Sequence, residues 1–239
     1  MDIGQMPAHG RAISEDIARR LITAIAVGAY SPGERLPPER ELAQQLGIAR
    51  ETLRQSLQQV AQLGLIEARR GRGGGTFVSS LGRTAVASDV ARRTLERELP
   101  AIKELFDFRV IIEGTIARTA AQRRTAKEAR AMERILKDFR AAEDMITARI
   151  LDRQLHGLIA KAARNRHLVE LSTQLTAQVT LGFGSEPYPQ EYFDRVVHEH
   201  EELIGYVVAR DAEMAGRTAT EHFKITFEIM ETGLKRGPL

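Results

Sequence analysis

Apolar residues recur along the chain at two spacings, and the spacing changes once early on. In SEDIARRLITAIAVG (14–28), Ile17, Leu21 and Ile25 fall one helical turn apart, with Ser14 placed as an N-cap and residues 1–12 read as a loose arm. Pro32-Gly33 marks a turn. Pro37 and Pro38 open a second helix, where a missing N–H costs nothing, and it runs to Gly47. Leu53, Leu57, Val60 and Leu63 carry a third, closed by Gly64. LIEARRGRGGGTFV then predicts two short strands around a glycine run, a β-hairpin. Three helices followed by a hairpin is the order of a winged helix.

Beyond the hairpin, SSLGRTAVAS (79–88) is small and polar and reads as a linker. From there the period is helical, predicting helices near 89–98, 100–122, 125–142, 146–164, 166–182, 189–210 and 212–233. The breaks fall at Pro100, Thr125, the Asn165 region, GFGSEPYPQ and Asp211. The expected fold is therefore mainly α: a winged helix-turn-helix DNA-binding domain over 1–78, the linker 79–88, and an all-helical bundle over 89–239.

Composition narrows this little, except through charge. With 239 residues and 43% apolar content, each of two domains can bury an ordinary core. The absence of cysteine excludes disulfides and thiolate metal sites. The opening MDIGQMPAHG has no signal-peptide core, and LITAIAVGAY falls far short of the ~20 residues that span a bilayer, so a cytoplasmic protein with no membrane partner is expected. Residues 1–79 hold ten arginines, eight acids and no lysine. Five of those arginines and only two acids lie in 49–72. Arginine's planar fork suits phosphate and guanine better than a lysine point charge.

A helix-turn-helix gives those arginines a place. Ala43 lets two helices approach, Gly47 permits the turn four residues later, and Leu53 locks the second helix down. That helix offers Arg50, Glu51, Thr52 and Arg54 near its N-terminus, with Arg50 and Arg54 one turn apart on one face. Arg40 lies in the first turn of the preceding helix. At the hairpin tip Arg69, Arg70 and Arg72 flank Gly71, in a loop slim enough for a minor groove. A phosphate-binding loop is rejected, because GRGGGTF lacks the Gly-Lys-Ser/Thr ending and precedes a strand.

The helical part carries a second set of residues. In DRQLH, Asp152 and His156 share a face with Ala148, Ile159 and Ala163. In HEHEEL, His200 lies on the stripe Val196, Val197, Leu203, Ile204 and Val207, while His198 is roughly 200° round and faces out. His222 lies on the stripe Ala215, Ala219, Phe223 and Ile229. His200 and His222 are each 11 residues from Asp211, so in an antiparallel helix pair they would lie level. One carboxylate and three imidazoles pointing into an apolar interior suit a divalent metal, although each histidine taken singly reads more readily as hydrogen-bonded core. His9, His167 and His198 receive no role. Arg109 and Glu113 share a face with Ile102, Leu105, Ile116 and Ala120. Either Glu113 answers the inward charge, or Arg109 holds the carboxylate of a small ligand. A metal-dependent hydrolase or lyase is the rival reading, though no extra inward Glu, Lys or Tyr reads as its general base. A ligand-free dimerisation bundle is another.

GAYSPGERLPPERELAQQLGIARETLRQSLQQVAQLGLIEARRGRGGGTFV resembles the N-terminal domain of the GntR family of bacterial transcription regulators along its whole length. The resemblance implies DNA contacts from Arg40, Arg50 and Arg54, helped by Thr52, Arg70 and Gly71. Ala49 departs from it, standing where the family often has Ser or Thr. FDFRVIIEGTIARTAA, DRQLHGLIAKAARN and HEELIGYVVARDAEMAGRTATEH resemble the FadR-type (FCD) ligand-binding domain, over about residues 99–233. This implies Asp152, His156, His200 and His222 as metal ligands, with zinc first and nickel or manganese as alternatives. It implies Arg109 as a contact to a small organic acid that completes the coordination. The expected whole is a homodimeric, effector-responsive regulator, a repressor on a palindromic double-stranded DNA operator, and not an enzyme.

Overall fold

The computed structural model describes residues 8–26, 30, 32–79, 85–180 and 190–235. The chain divides into two compact units: Met1–Leu99 with Thr180–Pro187 and Met230–Leu239, and Pro100–Val179 with Tyr188–Ile229.

The first unit holds α1 (Ala8–Ala26), α2 (Glu39–Leu46), α3 (Arg50–Gln62), β1 (Ile66–Arg69) and β2 (Gly75–Val78). Leu21, Leu42, Leu53 and Val60 are fully buried, and α3 packs against both α1 and α2. Gly47 ends α2 at φ +64°, a left-handed conformation that costs glycine little, and Ile48 N–H then donates to the Ala43 carbonyl. The strands pair antiparallel with Ile66 opposite Val78 and Arg69 opposite Gly75. Arg35 bridges to Phe77, so a short piece of chain ahead of α2 flanks the hairpin. Helix α1 begins at Ala8, inside the expected arm, and so Ser14 is an interior residue. Its side chain is buried, and its hydroxyl accepts from Gln59 Nε2 of α3 at 3.4 Å.

Helix α4 (Ala85–Arg123) is continuous through Pro100 and starts within the stretch read as linker. An interior proline removes one hydrogen bond and costs about 3 kcal/mol in an isolated helix. The surrounding TLERELPAIKEL supplies good helix formers on both sides and no N-cap residue to start a new helix.

The second unit continues with α5 (Ala126–Arg140), α6 (Met145–Ala162), α7 (Arg166–Val179), a 3₁₀ turn (Gln190–Tyr192), α8 (Phe193–Ala209) and α9 (Ala212–His222); α10 (Ile225–Lys235) follows. Most of the expected GFGSEPYPQ break lies outside the described residues. The expected last helix is two, parted at Phe223-Lys224, where Lys224 N–H bonds the Glu221 carbonyl three residues back and tightens the turn. Ile116, Ala117, Ala120, Leu155, Ile159, Leu203, Val207, Ala215 and Ala219 share one core. Helices α4 and α9 meet at glycines: a Cβ on Gly114 would lie 2.5 Å from Thr220 Oγ1, and one on Gly216 would lie 3.2 Å from the Gly114 carbonyl. Arginines tie the helix ends. Arg124 donates to the Val207 and Val208 carbonyls at the end of α8, and Arg210 donates to the carbonyls of Gln122 and Arg124, 2.8 Å each.

Thr125 caps α5 in a reciprocal box. Its hydroxyl accepts from Glu128 N–H at 3.2 Å, and Glu128 accepts from Thr125 N–H at 2.6 Å. The bonds from Thr125, backbone first, hold the Glu128 carboxyl below its usual pKa. A depressed folded pKa contributes stability above the unfolded value of about 4.3 that is lost as pH falls through the folded value. Thr125→Ala is expected to cost about 1 kcal/mol at pH 7 in urea unfolding. The gap to wild type should narrow below pH ~4.

Candidate functional site

The first cluster of side chains lies on the helix-turn-helix and hairpin. Arg40, Arg50, Glu51 and Arg54 are exposed on α2 and α3, as are Arg70, Gly71 and Arg72 at the hairpin tip. Among the described residues, Arg40, Arg50, Arg70 and Arg72 enter no hydrogen bond or ion pair. Arg54 is held: its Nη1 donates to Glu51 Oε2 at 3.0 Å, and its Nη2 lies 3.7 Å from Glu39 Oε2 on α2. Such exposed pairs are worth at most about 1 kcal/mol, so a nucleic-acid phosphate or base can displace them. Arg69 is also occupied, lying over the Phe77 ring and paired with Glu67.

Thr52 does not share the exposed face expected for it beside Arg50 and Arg54. It is 8% exposed, on an inner face with Leu53, Ser56, Leu57 and Val60, and its carbonyl accepts from Ser56 Oγ at 2.9 Å. Packing against α1 and α2 widens the buried face of α3 beyond its leucines. Ala49 is the N-cap of α3 and contributes no side-chain cap. Gly71 has φ +96°, and a Cβ on Gly74 would lie 2.5 Å from the Arg69 carbonyl, so the tip is narrow because side chains do not fit there.

The second cluster is built by α6, α8 and α9. Asp152 and His156 lie one turn apart on α6, His200 on α8, and His222 at the end of α9. His200 is fully buried, Asp152 and His222 nearly so, while His198 is exposed. His156 Nε2 lies 3.1 Å from His200 Nε2 and 3.4 Å from His222 Nε2. Asp152 Oδ1 lies 3.3 Å from His200 Nε2 and 3.7 Å from His156 Nε2.

The opposite ring nitrogens explain why these four atoms converge. His200 Nδ1 lies 2.8 Å from the Val196 carbonyl, and His222 Nδ1 lies 2.9 Å from Glu199 Oε2. Carbonyl and carboxylate oxygens only accept, so each Nδ1 carries a proton, and in the neutral ring each Nε2 then presents a bare lone pair. Burial, then the neighbouring His222, holds the His200 pKa well below its usual value, which keeps the ring neutral. Asp152 adds a buried Oδ2 without a hydrogen-bond partner. Ligand atoms bound tetrahedrally at 2.0–2.1 Å stand about 3.3 Å apart, close to the spacings of His156 from His200 and His222 and of Asp152 from His200, so the three imidazoles fit one divalent cation with the Asp152 carboxylate beside them.

Arg109 of α4 is buried, with its guanidinium 4.5 Å from the Phe223 ring centre. Phe223 in turn packs against His156 and His222, ring centres 4.8 and 5.1 Å away. One turn along α4, the buried Glu113 accepts from Ser172 Oγ of α7 at 2.8 Å.

Glu199, Arg195 and Glu228 were not singled out from the sequence. Arg195 Nε donates to Glu199 Oε1 at 2.8 Å, and its Nη2 lies 2.9 Å from Glu228 Oε2. Burial raises the Glu199 pKa, but the hydrogen bonds and charges of His222 and Arg195 outweigh it and leave a carboxylate below its usual value. The i, i+4 spacing of Arg195 and Glu199 was legible; the reach to His222 was not.

Residues 13–78 match the family model described as bacterial regulatory proteins, gntR family, and residues 104–224 match the FCD domain. The chain belongs to the GntR family. A GntR-family assignment places Arg40 through Gly71 in the DNA-binding segment, and Arg109 and all four candidate ligands in the FCD segment; Glu228 lies just beyond it. A protein named as an HTH-type transcriptional regulator in Mycobacterium gastri is 28% identical, over 94% of this chain and 82% of that one. Another so named in Mycobacterium tuberculosis is 33% identical over 68% of this chain and 66% of its own. Among solved structures, a GntR protein of Streptococcus agalactiae aligns with 90% of this chain and 99% of its own at 23% identity and a TM-score of 0.47. The two mycobacterial relatives are named as regulators of transcription. No helix among the described residues is long and apolar enough to cross a membrane.

Proposed function

We propose that this regulator binds a palindromic operator as a homodimer and senses a small organic acid at a divalent metal held by Asp152, His156, His200 and His222. The observation that carries the sensing half is the meeting of the His156, His200 and His222 Nε2 atoms in a buried interior, with Asp152 Oδ1 3.3 Å from His200 Nε2. An acid that gives the metal one carboxylate oxygen leaves its second oxygen to accept from a cation such as Arg109, which packs on the same Phe223 ring as His156. Zinc suits three nitrogens and one oxygen; nickel and manganese are the alternatives.

The DNA half rests on the exposed arginines. Arg50 and Arg54 serve as major-groove readers, Glu51 as an acceptor facing the same groove, and Arg40 as a phosphate contact. Arg70 and Gly71 enter the minor groove. Thr52, being buried, is left out of the direct contacts. Two copies on a two-fold operator follow from the symmetry of such sites, and repression is the effect assigned to an occupied operator. An effector changes occupancy only as far as it binds the DNA-competent and incompetent states with different affinity.

Protein isolated without chelators or a histidine tag is expected to carry about one metal per chain by plasma mass spectrometry. His200→Ala should lose it and His198→Ala should keep it. No metal in wild type, even after reloading with zinc, nickel or manganese, rejects the sensing half. Arg50→Ala and Arg54→Ala should each reduce discrimination between operator and random DNA by about 1–3 kcal/mol in footprint titrations. Footprints like wild type from both variants reject the recognition-helix assignment.

A further inference from the structure

The imidazoles of the cluster are held from behind in two different ways. His200 is fixed by the backbone of its own helix, through the Val196 carbonyl one turn back. His222 depends instead on a side chain of another helix, Glu199 of α8, at 2.9 Å. Glu199 is itself held: its second oxygen accepts from Arg195 at 2.8 Å, and Arg195 lies 2.9 Å from Glu228 of α10. His222, Glu199, Arg195 and Glu228 therefore form one continuous chain of polar contacts through α9, α8 and α10.

We propose that Glu199 is a positioning residue for the metal site: it fixes His222 as the Nδ1–H tautomer with Nε2 bare, and Arg195, anchored by Glu228, holds Glu199 in that role. The metal part of this rests on the reading given under Proposed function. The carboxylate is the group the geometry requires, because it must accept on one oxygen from an imidazole and on the other from a guanidinium. An amide cannot do both. Glutamine at 199 would turn its NH₂ toward either His222 or Arg195, setting donor against donor. If His222 responds by moving its proton to Nε2, the nitrogen facing His156 loses its lone pair. A carboxylate behind a metal-bound histidine also raises the basicity of that ligand and fixes its ring, and removing such a partner typically costs 10–100-fold in metal affinity.

The test uses the full-length protein, stripped of metal and titrated with Co²⁺, with the visible spectrum of the loaded site recorded and zinc added in competition. Glu199→Gln is expected to weaken Co²⁺ binding about 10–100-fold and to alter the spectrum, while the metal-free variant melts at the wild-type temperature. Glu202→Gln, at an exposed position on the same helix, should behave as wild type. Arg195→Met should fall between the two, and it supplies the test if Glu199→Gln does not fold. Wild-type affinity and spectrum in both Glu199→Gln and Arg195→Met overturn the proposal. Long-range ¹H–¹⁵N spectra of the metal-free histidine rings separate it from the metal reading. If wild type binds no metal, the sensing reading fails; Nδ1–H at His222 that moves to Nε2 in Glu199→Gln still supports the Glu199 assignment. Nε2–H at His222 in metal-free wild type overturns it.

Discussion

The site of the helical unit depends on the meeting of three imidazole Nε2 atoms beside the buried Asp152 carboxylate. His200 and His222 each commit their Nδ1 proton to an oxygen behind the ring, and this leaves two Nε2 atoms facing His156 and the Asp152 carboxylate. In a dry interior, such a set is unfavourable unless a proton or a cation stands between its members. Desolvation works against the proton at His200. The surrounding fold thus keeps four donors at close range in a place where a cation relieves them. Phe139 and Phe223 pack against the rings and exclude water, which strengthens every charge interaction inside.

Holding donors from three helices to within a few tenths of an ångström takes contacts far from the donors. Gly114 and Gly216 let α4 and α9 approach backbone to backbone, which fixes the level of Arg109 and Phe223 relative to His222. Arg124 and Arg210 bond the terminal carbonyls of each other's helices, so α4 and α8 cannot slide independently. Arg210 takes φ +61° to do this, an uncommon conformation for a residue with a side chain, compensated by its two carbonyl bonds. The same helix ends support both the candidate metal donors and the candidate effector arginine.

How much of this was legible in the sequence depended on how local the determining contacts are. Gly47, the proline pair and the glycine run act within a few residues, so the helix-turn-helix and hairpin could be read directly. The inward faces of His156, His200 and His222 followed from helical periodicity against known apolar neighbours. Pro100 was misread as a break because the pattern weighs a proline more heavily than the helix formers around it. The turn at Phe223-Lys224 carries no glycine or proline and left no trace. Thr52 was assigned to the wrong face because the buried face of α3 is widened by two packing helices that a single-helix pattern does not include. Glu199 was invisible for a related reason: its neighbour Arg195 is in sequence reach, but its function depends on a histidine 23 residues on.

The two clusters also differ in how they handle charge. On the helix-turn-helix and hairpin, Arg40, Arg50 and Arg70 are exposed and, among the described residues, unpaired, while Arg54 is held by carboxylates on α2 and α3 that solvent screens. A polyanion can compete for these groups at little cost, because nothing is left buried and unsatisfied when a surface pair opens. In the helical unit the charges are enclosed. Removing one member there strands the others, so the arrangement responds as a unit to whatever cation and anion enter it. That contrast fits the proposed reading, in which one surface binds DNA reversibly and an interior site is filled or empty. It also places the sensitive element on α8: that helix supplies His200 directly and, through Glu199 and Arg195, joins His222 to Glu228 on α10.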